Sequence, residues 1–174
     1  MGPARGLLVL LVALTMCMIN SVQSAATPSP SAAAREFVEA HNQARAAVGV
    51  DPLKWSETLA NATSRVVRYQ RNKMGCQFAD LKGSKYGANQ FWGGGATTWT
   101  PRMVVDEWVG SKKYYNYANN SCLPNQKCGT YTQVVWRKST ELGCAQATCL
   151  KETATVLVIC FYNPPGNYIG ERPY

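Results

Sequence analysis

Histidine is almost absent from this chain of 174 residues: His41 stands alone. One imidazole cannot build a multi-histidine metal site or a His–His acid/base pair. Carboxylates are sparse too, 10 against 18 basic residues, and charged residues make up only 16% of the chain. Asp106 and Glu107 are adjacent, so on a helix they point about 100° apart and do not face one another as a glycosidase pair does. They read as charges placed near a helix N-terminus. No C-x-x-C, GxGxxG, P-loop or GxSxG pattern occurs. Gly93-Gly94-Gly95 lacks the Lys and Ser/Thr that a phosphate cradle requires. A single long apolar run is present, Leu7 to Leu14, extended by Cys17, Met18 and Ile19. What remains is a basic chain of one-domain length, 46% hydrophobic, large enough to bury a core without metal.

The apolar run follows Arg5 and ends in polar Asn20 and Ser21, then Val22-Gln23-Ser24. This is the pattern of a secretory signal peptide over residues 1–24, cut after Ser24. The rival reading, a membrane anchor, fails on length and on its weakly charged far flank. The mature chain is therefore expected to be soluble and extracellular, with no KDEL-type retention tail. Removal of the leader takes Arg5 and Cys17, leaving a formal charge of +7 and six cysteines: Cys76, Cys122, Cys128, Cys144, Cys149 and Cys160. An even number in an oxidising compartment points to three disulfides, with the pairing left open by the count. Paired cysteines also argue against a cysteine nucleophile, and the lack of a C-x-x-C pair with only one histidine argues against zinc.

Residues 25–34 are rich in Pro, Ser and Ala and read as a flexible lead-in to a domain over 35–174. Phe37, Ala40, His41, Ala44 and Val48 recur at helical spacing, and Gly49 ends that helix. His41 on this inner face reads as a buried, hydrogen-bonded core residue. A second helix is predicted from Ser56, with an inner stripe of Leu59, Ala62, Val66 and Tyr69. Its outer face carries Arg65, Arg68, Arg71 and Lys73, read as a solvated basic stripe. The glycine-rich stretch from Cys76 to Thr100 reads as a long ordered loop. Pro101 opens a third helix, with Met103, Val104, Trp108 and Val109 inward. The segments YTQVVWRKS, LGCAQATC and TATVLVICFY read as antiparallel strands, stopped by Pro164-Pro165-Gly166. Helices first and strands last predict an α+β fold.

The strings CGTYTQVVWRKSTELGCAQATC, VLVICFYNPPGNYIGERPY and EAHNQARAAVGVDPLKW together resemble plant pathogenesis-related class 1 proteins of the CAP superfamily. The resemblance runs from about Arg35 to Tyr174. It implies a three-layer α–β–α sandwich with a central antiparallel sheet. It implies the disulfides Cys122–Cys128, Cys76–Cys149 and Cys144–Cys160, each expected to stabilise by about 2–4 kcal/mol. A GANQ-type loop is similar to a plant subgroup with pistil-expressed and fungus-responsive members.

Many CAP proteins carry two His and two Glu around a cleft that suits a divalent ion. Here the GHYTQ pattern reads Gly129-Thr130-Tyr131-Thr132-Gln133, and the GEN pattern reads Gly87-Ala88-Asn89. Ser111 stands for the helix glutamate, and Asp80 or Leu81 for the remaining histidine. The resemblance thus implies no metal, no cofactor and no catalytic centre in this chain. Aromatic loops in CAP relatives are implicated in binding sterols, and Tyr114, Tyr115 and Tyr117 match such a loop, next to the alternative of plain packing at a sheet edge. Plant relatives can release a C-terminal immune peptide; the matching stretch is Pro164 to Tyr174, with the cut between Asn163 and Pro164. The preceding Cys160-Phe161-Tyr162-Asn163 departs from the family's CNYx cleavage motif. Asn61-Ala62-Thr63 and Asn119-Asn120-Ser121 are N-glycosylation sequons at Asn61 and Asn119. The expectation is a secreted, monomeric, non-enzymatic plant defence protein in the extracellular space or cell wall. Its expected partners are a sterol or related lipid, microbial surfaces or wall polymers, and not nucleic acid.

Overall fold

The computed structural model describes residue 2, residues 30–95 and residues 98–174. The leader and most of the 25–34 lead-in lie outside the described residues. Where the lead-in is described, Ser31 already caps a helix: its Oγ accepts from Ala34 N–H at 3.2 Å. In chain order the elements are α1 (Ala32–Ala46), β1 (Lys54–Trp55), α2 (Glu57–Lys73), β2 (Gly87–Gly93), α3 (Pro101–Gly110), a 3-10 turn (Ser111–Tyr114), β3 (Tyr115–Asn116), β4 (Ser121–Cys122), α4 (Gly129–Val134), β5 (Glu141–Thr148) and β6 (Val156–Asn163).

The sequence of β6, VLVICFYN, is apolar nearly throughout, so the strand suits a sheet covered on both faces. It sits inside the strand order β1–β5–β6–β2. Its period of two splits the core. Leu157, Ile159 and Phe161 meet Leu59 and Val67 of α2 on one face. Val158, Cys160 and Tyr162 meet Phe37, Val104, Trp108 and Val134 on the other. The result is an α+β sandwich, with α2 on one face and α1, α3 and α4 on the other. The sheet is antiparallel except for β1, whose two residues run parallel to β5.

Three expectations change. The segment YTQVVWRKS is helix α4 followed by a turn, not a strand. Tyr131 to Trp136 are all buried, and a short run buried all round carries no period to separate helix from strand. The stretch from Cys76 to Thr100 holds β2, which pairs with β6 over its whole length. GANQFWG contains no β-branched residue; its partner imposes the strand. The inner stripe of α2 is Leu59, Thr63, Val67 and Gln70, while Tyr69 faces solvent. Polar residues fit inside because they are satisfied: Thr63 Oγ1 lies 2.7 Å from Leu59 O and 2.9 Å from Gly143 O, and Gln70 Nε2–H donates to Gln77 O at 2.9 Å.

Three disulfides clamp the layers: Cys76–Cys149, Cys122–Cys128 and Cys144–Cys160. The last joins residues directly opposite each other on β5 and β6. Arg45 of α1 is fully buried, and no carboxylate is among its partners. Its guanidinium donates to the carbonyls of Asp51, Val134, Trp136 and Ser139 at 2.7–3.1 Å. They include the carbonyl of Val134, the last residue of α4, where a cation is favoured. Burial lowers its pKa to about 10, so the cation persists at neutral pH.

His41 ties α1 to β6. Its Nδ1–H donates to Phe37 O at 2.7 Å, so Nε2 accepts the Tyr162 hydroxyl proton at 2.8 Å. Burial lowers the His41 pKa from 6.5 to about 4, outweighing the Phe37 carbonyl, which acts the other way.

Two predictions follow from this packing. The ring is neutral in the fold down to about pH 4, whereas an unfolded imidazole takes up its proton near 6.5. Stability is therefore full above 6.5 and falls as pH drops from 6.5 to about 4, by about 3 kcal/mol from this residue. Urea unfolding across that range should show the slope, and His41→Gln should flatten it; an unchanged slope in the variant contradicts the assignment. At Gly143 a Cβ would overlap the α2 backbone at Leu59 and Ala60. Gly143→Ala should cost about 3 kcal/mol in the same assay.

Candidate functional site

The four positions that the resemblance matches to metal ligands are split between two environments. Ser111 follows α3 and Thr130 opens α4, which the Cys122–Cys128 bridge holds at its start. Their hydroxyl oxygens are 3.0 Å apart. Ser111 Oγ–H donates to Trp108 O at 2.8 Å and its oxygen accepts Tyr131 N–H at 3.2 Å. Ala88 lies opposite Phe161 in the β2–β6 register and packs on the α2 side, as does Leu81. Asp80 is exposed, its carboxylate accepting Lys82 N–H at 3.1 Å. Two mutually bonded hydroxyls, a methyl group and a surface carboxylate do not fit a divalent ion. Among the described residues, no group of three or more His, Cys, Asp or Glu could hold one.

Behind this pair the polar chain continues into the core. Asn89 Nδ2–H donates to Thr130 O at 2.9 Å and to the Tyr162 hydroxyl at 3.2 Å. The Tyr162 hydroxyl in turn donates its hydrogen bond to His41 Nε2. Burial raises the Tyr162 pKa, so the phenol stays protonated. The chain from Phe37 O through His41, Tyr162 and Asn89 to Thr130 O is closed at both ends. It offers no lone pair to a substrate and no proton at neutral pH. The sequence marks Asn89 only as the last residue of the Gly87-Ala88-Asn89 pattern; its place in this chain follows from β2, which the glycine-rich stretch does not announce.

The three loop tyrosines are unequal. Tyr115 is half-buried against the core and its hydroxyl donates to Asn120 Oδ1 at 2.7 Å. Burial first, then Tyr174, raises its pKa. Tyr131 beneath it is raised for the same reason, and its hydroxyl lies 2.9 Å from that of Tyr174. Tyr117 is 45% exposed. Its ring stacks on Tyr174 at 4.8 Å and 10°, and Arg172 covers it at 5.1 Å. Tyr114 has Lys113 Nζ 5.0 Å from its ring centroid. Together with Leu123 and Ala118 they line an open cleft of about 570 Å³.

The segment 164–174 is strapped to the same region. Ser139 Oγ–H donates to Pro164 O at 2.8 Å, Arg137 N–H to Pro173 O at 2.7 Å, and Lys138 pairs with Glu171 at 2.7 Å. Arg172 donates to the carbonyls of Tyr117 and Ala118. Asn163 is itself held: its carbonyl accepts Thr140 N–H at 2.9 Å, and its amide donates to Glu141 at 2.7 Å. Both sequon asparagines, Asn61 on α2 and Asn119 in the β3–β4 turn, are exposed. Asp106 and Glu107 are exposed on α3, and Asp106 meets Arg102 at 4.0 Å one turn away.

A family model described as the cysteine-rich secretory protein family, CAP, matches residues 38–162. The chain is 64% identical to the STS14 protein of Solanum tuberosum over 144 residues, covering 83% of this chain and 66% of that protein. The chain thus spans just under two thirds of that relative's length. It is 40% identical over 167 residues to pathogenesis-related protein 1 of Arabidopsis thaliana, covering 96% of this chain and 94% of the relative. The solved structure of venom allergen-like protein 4 from Schistosoma mansoni matches with a TM-score of 0.62 at 25% identity, over 83% of this chain and 95% of that one. That of BmVAL-1 gives 0.69 at 20% identity, over 86% and 85%, which speaks to the fold alone. With its sandwich, its three bridges and these sequence matches, the chain belongs to the CAP family, among the plant pathogenesis-related class 1 proteins.

Proposed function

We propose that this protein acts outside the plant cell in defence against microbes, by binding a sterol or related lipid and without catalytic turnover. The names of its plant relatives, such as the Arabidopsis thaliana pathogenesis-related protein 1, support the defence role. The leader-like start and the paired cysteines support an extracellular location. The observation that carries the lipid reading is the tyrosine cleft. Aromatic rings and Leu123 line it, and the Tyr115 and Tyr117 hydroxyls are held by Asn120 Oδ1 and Tyr174 O. Such a surface can cover one face of a rigid, flat, mostly apolar ligand while its polar end stays wet.

The absence of turnover rests on the closed chain at His41 and on the mutually satisfied Ser111 and Thr130. The alternative, a precursor of the 164–174 peptide, is not favoured by the geometry. Cleavage after Asn163 requires prior opening of the bonds that Thr140 and Glu141 make to that residue.

The test targets the two rings that are not built into the core. Tyr114→Ser with Tyr117→Ser should weaken ergosterol binding by about tenfold or more, with unchanged circular dichroism. Unchanged ergosterol affinity in the folded double variant would remove the tyrosine cleft from the account.

A further inference from the structure

A second cleft lies on the opposite face of the sheet, and it has a different chemistry. Helix α2 packs on β5 and β6 and leaves the same face of edge strand β2 uncovered by helix. Trp92 pairs opposite Leu157 in the register, so it stands on that α2-side face, past the end of the helix. The turn after α2 places two successive residues, Gly75 and Cys76, at positive φ, and the Cys76–Cys149 bridge pins that turn to the start of the β5–β6 connection. Gln90 holds the next residues by a two-way amide contact: its Oε1 accepts Ala79 N–H at 2.8 Å and its Nε2–H donates to Ala79 O at 3.0 Å. Gln70 donates to Gln77 O from beneath. The walls are therefore fixed by covalent and hydrogen bonds.

Between them lies a cleft of about 700 Å³, within the range of small-molecule sites. Three large apolar side chains that line it are left in water: Phe78 at 55%, Trp92 at 47% and Leu150 at 62% exposed. An apolar patch gathered in one concavity is a binding surface by its physics. Its rim is cationic: Arg71 and Lys73 from α2, and Lys151 from the β5–β6 connection. The one carboxylate in the lining, Glu152, accepts from Thr155 Oγ1 at 3.2 Å. Among the described residues the salt bridges are Arg102–Asp106 and Lys138–Glu171, and neither involves this rim. Arg65 and Arg68 extend the positive charge back along α2, which draws an anion toward the cleft.

We propose that this cleft binds a single-chain anionic amphiphile, with the acyl chain across Phe78, Trp92 and Leu150 and the carboxylate or phosphate head on Arg71, Lys73 and Lys151. Charge complementarity selects an anionic head, and the apolar floor selects a chain over a sugar or a nucleotide. The site is independent of the tyrosine cleft and does not rest on sterol binding.

The test is displacement of the fluorescent fatty acid cis-parinarate from the full mature chain by oleate and by oleyl alcohol. Oleate should displace it at one saturable site, and oleyl alcohol should bind about tenfold more weakly. The triple variant Arg71→Ala, Lys73→Ala, Lys151→Ala should lose that discrimination, and Trp92→Ala should weaken both ligands. All substituted side chains lie on the surface, and circular dichroism checks their folding. The Tyr114→Ser, Tyr117→Ser variant should bind oleate as the parent does, whatever it does to ergosterol. Lysophosphatidate in place of oleate distinguishes a phospholipid from a free fatty acid as the source of the head. No saturable oleate binding, equal affinity for the alcohol, loss in the tyrosine variant with none in Trp92→Ala, or binding to anionic vesicles without binding to monomeric oleate would each overturn the proposal.

Discussion

A single imidazole, closed off on both nitrogens, ties the layers of this protein together. His41 belongs to α1, its partner Tyr162 to β6, Asn89 to β2, and the chain ends on the carbonyl of Thr130 in α4. The ring nitrogens of His41, the Tyr162 hydroxyl and the Asn89 amide N–H all find partners within this chain, so the network specifies a relative placement of four elements. The cost falls on chemistry. A ring that donates at Nδ1 and accepts at Nε2 in a dry core is neutral and has no face toward solvent. The chain has no second histidine to take over the role of acid or base.

Away from this closed centre, the surface carries the two clefts on which the proposed lipid and amphiphile sites rest. Both arise from the same geometry. The sheet is narrow, one helix cannot cover all of its α2 face, and the chain between elements must pass over the exposed edges. On the α2 side the disulfide Cys76–Cys149 fixes the rim beside Trp92. On the other side the segment 164–174 clamps Tyr117 through Tyr174 and Arg172. Walls held in this way lose little entropy on binding, which favours recognition by contact.

Much of this was legible before any coordinates. The 3.6 period of α1, the Pro101 start of α3 and the apolar run of β6 mark their elements directly. The family resemblance supplied the sandwich. Other features were hidden for physical reasons. Strand β2 has a polar, glycine-rich sequence and exists because β6 pairs with it. Helix α4 is buried all round, so its pattern carries no period. In α2, Thr63 and Gln70 point inward because backbone carbonyls receive their protons, and a hydrophobic stripe cannot anticipate that. Arg45 hides in the same way: three of its four carbonyl acceptors, Val134, Trp136 and Ser139, come from segments distant in sequence. At the site, the replacement of His and Glu by Thr130, Ser111 and Ala88 was readable from the motifs. The unequal roles of Tyr114, Tyr115 and Tyr117 were not, because they depend on where Asn120, Arg172 and Tyr174 arrive.

The most direct examination of the central claim is nitrogen NMR of His41 in the folded protein across pH. The account predicts one tautomer, protonated at Nδ1, throughout the neutral range, with ring titration depressed to about pH 4. A ring that titrates near 6.5 with mixed tautomers would contradict it, since such an imidazole is wet, mobile and free to act as a base.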